Sequence, residues 1–230
     1  MRVVSLVPSS TETVRALGVD PVASSRFCEQ PDLPHVGGPT NPEIDAIREL
    51  KPDVVVLDRQ ENRREDAEAL DAAGLRVWAS DVDDVAAALD VVDDLAELVG
   101  VDAPERPAVG PTVPDLLPVL VPIWRRPWMA IGGATYGASL LRRLGFAVVT
   151  GADDPRYPEV DFEAIRGEAP VAVLVPSEPY EFRHEHLGEL RSAVPAARVL
   201  RVDGRDLFWW GVRTHGAMIR LGEQLEELRS

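Results

Sequence analysis

Asp81 to Gly100, DVDDVAAALDVVDDLAELVG, is the stretch whose reading decides the fold, because strand-and-helix material lies on both sides of it and nothing in it resembles a loop. Val82, Val85, Leu89, Val92, Ala96 and Val99 recur at steps of three and four, with Asp83, Asp90, Asp93, Asp94 and Glu97 on other faces. That is the pattern of a helix lying on a core. Asp81 is the expected N-cap, Asp83 and Asp84 favour the positive end of the helix dipole, and Gly100 marks the stop. At 1.5 Å per residue such a helix is roughly 27 Å long, enough to join two lobes. The expected division is an N-terminal α/β lobe over 1–80, a bridging helix over 81–100 and a C-terminal α/β lobe over 101–230.

Upstream, Val3 to Val7 reads as a buried strand, and Ser9 and Glu12 have capping-box spacing at the start of a first helix. A short strand near Pro21 to Ser25 precedes a Pro- and Gly-rich loop from Gln30 to Thr40. Pro42 then opens a helix running to Leu50. DVVVL, Asp53 to Leu57, is a continuous apolar run expected of a strand covered on both faces. A charged helix over Arg63 to Ala73 ends at Gly74, and Leu75 to Ala79 is the next strand. Downstream, VDAPERPAVGPTVP reads as a linker. Strands at Leu117–Ile123, Phe146–Val149, Val171–Val175 and Arg198–Val202 alternate with helices at Tyr136–Leu144, Phe162–Gly167, His186–Ala193 and Thr214–Leu228. The fold class is therefore α/β, two lobes with mainly parallel sheets joined by a single long bridging helix. One connecting helix implies small domain closure.

Composition bounds the chemistry. A net charge of −15 argues against nucleic acid or an anionic membrane as the main partner. Lys51 is the only lysine, which leaves Schiff-base chemistry and a P-loop almost without a candidate. The single cysteine, Cys28, excludes an internal disulfide and any multi-cysteine metal site, and reads as structural. No Gly-x-Ser-x-Gly elbow is present. Strand-like RVVSLVP begins at Arg2 and leaves no room for a signal peptide, so the chain as written reads as cytoplasmic; trimming of a leader would make it periplasmic or cell-surface.

In mainly parallel sheets ligands bind beyond the carboxyl ends of the strands. Those ends hold Ser9 and Ser10, Asp58 and Arg59, Trp124 to Trp128, Ser177 to Phe182, and Phe208-Trp209-Trp210. Four of the five tryptophans follow the bridging helix, and as a cluster they suggest a binding wall. Trp210, before Gly211 and three residues before Arg213, is expected to present its ring to ligand, so that its loss weakens binding and leaves stability intact. Arg59 and Arg213 are candidate clamps for ligand carboxylates or ordinary surface arginines. His184 and His186 would both point one way on an extended segment, as a metal site needs, and would diverge on a helix. Gly132 to Gly137 precedes a helix and reads either as an anion-binding turn or as a plain turn with a cap.

RVVSLVPSSTETVRALG, NPEIDAIRELKPDVVVL, AEALDAAGLRV, YPEVDFEAI and PVAVLV resemble, in order and spacing, the class III periplasmic binding proteins that carry cobalamin, haem and iron-siderophore complexes to ABC importers. The resemblance implies a non-enzymatic substrate-binding protein that holds a bulky metal chelate or corrinoid-like ligand in a cleft between two lobes. It implies no intrinsic cofactor, a small-molecule ligand that is a corrinoid, haem or siderophore complex, an ABC-importer partner and a monomer. Ser9, Ser10, Arg59, Glu178 and Arg213 are the expected polar anchors; Trp128, Tyr157, Tyr180, Phe208 and Trp210 are the expected apolar wall. Alignment of motifs with the cobalamin branch puts its importer-docking glutamates on Glu43 and Glu163. Gly37 and Asp58 stand where that branch has tryptophans, a departure that puts classical cobalamin transport in doubt. The alternative is a cytoplasmic enzyme or metallochaperone on the same scaffold.

Overall fold

The computed structural model describes residues 1–110, 114–151 and 155–229. In chain order the first half forms β1 (Val3–Ser5), α1 (Pro8–Ala16), β2 (Ala23–Ser24), β3 (Gly37–Gly38), β4 (Asn41–Pro42), α2 (Ile44–Glu49), β5 (Val54–Asp58), α3 (Arg64–Ala72), β6 (Val77–Ser80) and α4 (Val85–Val99). The second half adds β7 (Leu117–Leu120), β8 (Pro122–Trp124), β9 (Met129–Ala130), α5 (Tyr136–Arg143), β10 (Phe146–Val148), α6 (Phe162–Gly167), β11 (Ala172–Pro176), α7 (His184–Ala193), β12 (Arg198–Val202), α8 (Gly204–Phe208) and α9 (Thr214–Leu225), with a final 3-10 turn at Glu226–Leu228. Two units result: Met1–Val82 and Ala86–Arg106 with Trp210–Val212, and Asp83–Val85 and Pro107–Trp209 with Arg213–Ser230.

Each unit carries a four-stranded parallel sheet, ordered β2-β1-β5-β6 in the first and β10-β7-β11-β12 in the second. In both, the first strand in sequence lies between the second and the third, so the two halves repeat one topology. β5 and β11 are buried at every residue, as apolar runs covered on both faces must be. In the first unit Leu6, Val55, Leu57, Ile47 and Leu70 form a core; in the second Leu120, Val173, Val175, Phe182 and Leu190 do.

Several boundaries differ from the sequence reading, each for a local reason. The α4 helix starts at Val85, not beside Asp81, and the Val85 N–H is taken by Ser139 Oγ at 3.2 Å. Asp81 instead faces Arg59 at 3.7 Å. The expected stripe of α4 is buried apart from half-buried Leu89, and Ala88, Val91 and Leu95 widen it. Pro8 rather than a capped Ser9 begins α1: its φ is preset for a first turn, Val7 stands at the N-cap without a side-chain bond, and the capping box does not form. Pro42 is not helical, because its stretch pairs antiparallel with Gly37–Gly38 before the Glu43 N–H reaches Val36 O at 3.0 Å.

The expected strand Leu117–Ile123 is two strands. After Leu120 the chain leaves the parallel sheet, and β8 pairs antiparallel with β9. Proline at 118 and 122 removes two ladder donors in this stretch. Helix α8 was not foreseen, since five residues are too few to show a period; Asp203 Oδ1 caps it by accepting the Arg205 N–H at 2.9 Å. Most of the expected linker, 101–110 and 114, has no helix or strand, and its residues 111–113 lie outside the described residues.

Candidate functional site

In the first unit the carboxyl ends of β1 and β5 are adjacent, the place where a parallel sheet with reversing strand order binds ligands. The β1 end is followed by a run of hydroxyls on α1. Ser9, Ser10, Thr11 and Thr13 are all buried, which is unusual for polar side chains and requires partners. Thr13 Oγ1 donates to Ser9 O at 2.8 Å and accepts the Val212 N–H at 3.4 Å, while Ser9 Oγ accepts the Trp210 N–H at 3.3 Å. Gly211 between them has φ +94, and a Cβ there would collide with the Thr13 hydroxyl. Thr11 Oγ1 donates to Ser5 Oγ at 2.8 Å, and Cys28 Sγ lies 3.1 Å from Thr11 Oγ1 and 3.4 Å from Ser25 Oγ. Buried Cys28 is thus a packed member of this cluster.

These contacts bear on three of the expected ligand residues. Ser9 and Ser10 have no exposed surface, and Trp210 is 4% exposed, so in this structure its ring is packed rather than presented. Ser10 Oγ is buried without a hydrogen-bond partner.

Beside β5 and β6, under the start of α3, lies a pocket of about 500 Å³ within the size range of ligand sites. Leu57, Ala67 and Ala79 supply its apolar lining, and Asp58, Arg59, Asn62, Arg63 and Arg64 the rest. Asp58 is 1% exposed; its Oδ1 accepts the Gln60 N–H at 2.8 Å and its Oδ2 accepts from Ser80 Oγ at 2.7 Å. Burial pushes its carboxyl above the usual range against those bonds. Asn62 ties the rim together, its Oδ1 accepting the Asp58 N–H at 2.8 Å and its Nδ2 donating to Pro39 O at 2.7 Å.

The second unit gathers aromatics. Trp128 stacks on Phe182 at 5.7 Å and meets Phe162 edge-on at 5.9 Å; Tyr180 lies 4.8 Å from Phe182 and 5.7 Å from His186. Trp128 and Tyr180 therefore pack partly against the unit's core. Trp124, 47% exposed, sets its ring edge-on to Tyr180 at 5.1 Å, and Tyr157 is 41% exposed. Arg125 lies over Trp128 at 5.9 Å and holds Glu189 through two bonds of 2.8 and 2.6 Å. Trp124, not named among the expected wall residues, belongs to the group of tryptophans that follows α4 in the sequence.

Two polar candidates are engaged within the unit. Glu178 Oε1 accepts from Trp209 Nε1 at 2.6 Å, and the Glu178 backbone packs so closely on Gly204 that no side chain fits there. Arg213 is not a free clamp: its Nη1 donates to Asp206 Oδ1 at 3.0 Å, and its guanidinium lies over Trp209 at 5.2 Å. Arg220 binds both oxygens of the same buried carboxylate at 2.7 and 2.6 Å. Hydrogen bonding from Arg220, aided by the charges of Arg213 and Arg205, holds Asp206 below the usual carboxylate range. Phe208 is half-buried at the end of α8.

The histidine pair falls on α7, where a spacing of two turns the rings to different faces. His184 is exposed; His186 is buried, with Nδ1 accepting the Arg183 N–H at 3.1 Å. Among the described residues no group of three or more His, Cys, Asp or Glu is placed to hold a metal ion. The Gly132–Gly137 stretch is a turn with a cap, Thr135 Oγ1 donating to Gly132 O at 2.9 Å and accepting the Ala138 N–H at 3.3 Å. Glu43, at the N-cap position of α2, and Glu163, in the first turn of α6, are both exposed.

Comparison with known proteins bears on this arrangement of two like-ordered parallel sheets. The profile of a family described as periplasmic binding protein matches residues 3–104. The vitamin B12 binding protein BtuF of Vibrio cholerae superposes with a TM-score of 0.79 at 16% identity, over 100% of this chain and 98% of that one. The fold is that of the class III periplasmic binding proteins. The haem-binding protein RhuT from Roseiflexus sp. RS-1 gives 0.77 at 20% identity over 100% and 99% of the two chains, and S. aureus IsdE, complexed with haem, gives 0.78 at 16% over 96% and 97%. No curated protein matches the chain. The profile match covers the first half of the motifs read from the sequence, and over the remainder of the chain the likeness is one of fold. No helix among the described residues is long and apolar enough to cross a membrane.

Proposed function

We propose that this chain is a non-enzymatic solute-binding protein that takes up a bulky, partly apolar metal chelate, of the corrinoid, haem or siderophore-complex type, for an ABC importer. The observation that carries this reading is the end-to-end match with binding proteins named for vitamin B12 and haem. The aromatic group of the second unit supports it, since Trp124 and Tyr157 leave ring surface in solvent on which a flat macrocycle can stack. In the first unit exposed Arg59 is the candidate anchor, while Ser9, Ser10 and Trp210 would have to be uncovered before they could touch ligand. In the second unit Trp128, Tyr180 and Phe208 back the exposed rings; Glu178 and Arg213 would have to exchange their present partners. Glu43 and Glu163 are the proposed docking points for importer subunits, each exposed at the start of a helix.

Titration of the purified chain with cyanocobalamin, haemin and a ferric siderophore, followed by absorbance and tryptophan quenching, tests the reading. Saturable one-to-one binding of one of them is expected. Failure of all three, together with an empty mass spectrum for co-purifying chelates, would refute it.

A further inference from the structure

We propose that Glu189 on α7 is a positioning residue: through Arg125 it fixes the pose in which Trp124 and Tyr157 are offered to ligand. The inference rests on the stacking role proposed for those two rings, and it lies wholly within the second unit. Both exposed rings belong to one small antiparallel assembly. Trp124 ends β8, which pairs with β9. On its other side β9 meets a further segment: Met129 bridges antiparallel to Glu159, the Ala130 N–H donates to Pro158 O at 3.0 Å, and the Val160 N–H donates to Trp128 O at 2.8 Å. Tyr157 directly precedes that segment.

Little inside this assembly holds its tip in place. β8 meets β9 at Pro122 with Ala130 and at Trp124 with Met129, the register shifting between the two, and Pro122 has no N–H to give a ladder. Arg126, in the connecting turn, has φ +74, a conformation that a residue other than glycine keeps where its surroundings impose it. Arg125 brings that constraint from outside. Its Nε donates to Glu189 Oε2 at 2.8 Å and its Nη2 to Glu189 Oε1 at 2.6 Å, a two-pronged bond that sets direction as well as distance. The same guanidinium lies over Trp128, which stacks on buried Phe182 with the ring planes 2° apart. The turn is thus keyed to α7 and to the core of the unit at once. With side-chain exposures of 17% for Arg125 and 43% for Glu189, the pair contributes little to global stability, but it governs a local pose. Trp124, the chain neighbour of Arg125, is thereby held edge-on to Tyr180 with its other surface in solvent. Once Glu189 lets go, that pose becomes one of several, and affinity falls with the fraction of molecules that keep it.

Glu189→Gln, which keeps the size of the side chain and removes its charge, tests the assignment in the full-length chain labelled with 5-fluorotryptophan. In the apo protein the 19F line of Trp124, assigned by its loss in Trp124→Phe, should shift or broaden in Glu189→Gln, while the lines of Trp78 and Trp210 stay in place. The apo Tm should fall by no more than about 4 °C. The Kd for whichever of cyanocobalamin, haemin and ferrichrome binds the parent should rise about fivefold. That ratio should narrow in about 1 M salt, which screens the parent's ion pair. An unmoved Trp124 line, or an affinity equal to the parent's, would overturn the proposal, and a large loss of Tm beside either result would mark Glu189 as merely structural. If none of the three chelates binds the parent, the transport reading fails on its own, and the Trp124 line alone decides whether Glu189 sets the ring.

Discussion

Replacing Trp210 with alanine separates a packed tryptophan from one presented to ligand. The ring is 4% exposed, and the backbone on either side is pinned to α1 by Ser9 and Thr13. An indole buries about 150–250 Å², which at ~25 cal/mol per Å² corresponds to ~4–6 kcal/mol as an upper figure. Measured aromatic-to-alanine substitutions in cores cost about 3–5 kcal/mol, cavity included. For a chain of this length each kcal/mol lowers Tm by about 2–4 °C, so Trp210→Ala should lower the apo Tm by roughly 6–20 °C. Thermal melts by circular dichroism read this directly. Trp209→Phe is the control, since it keeps a ring under Arg213 and removes only the bond to Glu178; it should cost no more than about 3 kcal/mol. The position of Trp210 after a strand and before a glycine suggested the opposite, lost affinity with stability retained. That outcome, with the apo Tm of Trp210→Ala within 2 °C of the parent, would refute the packing argument.

Gly211→Ala should destabilise the chain by ~2–4 kcal/mol, combining a disfavoured positive φ with a collision at Thr13, and Thr13→Ala should rescue only the steric part in a double-mutant denaturation cycle. Because Asp206 is held below its ordinary range, its contribution to stability is fully present above about pH 4 and is lost as pH falls through the lower folded value; Asp206→Asn should remove that acid limb from urea midpoints measured between pH 2 and 7. The same substitution should cost ~2–3 kcal/mol at neutral pH, since it weakens both arginine pairings of a buried group. Zinc or manganese at moderate excess should shift the apo Tm by less than about 1 °C, as His184 and His186 lie on different faces of α7; a large shift abolished by His184→Ala would contradict this.

Periodicity and breakers were enough to read the α/β class, the order of the main strands and helices, the buried runs at β5 and β11, and the long α4 helix that follows β6 in sequence. These are local signals: Val54–Leu57 cannot avoid a covered strand, and the valine and alanine spacing of α4 cannot avoid a helix lying on a core. Partner choice was not local. That Ser139 rather than Asp81 serves the first turn of α4, that Arg213 is spent on Asp206, that Trp210 is packed with the α1 hydroxyls, and that Arg59, Arg63 and Arg64 share a pocket all depend on residues that meet only in the folded chain. Residue type alone says that a tryptophan or an arginine can serve a ligand. Whether it is free to do so depends on which hydrogen bonds and apolar contacts folding has already given it, and those are set by tertiary geometry.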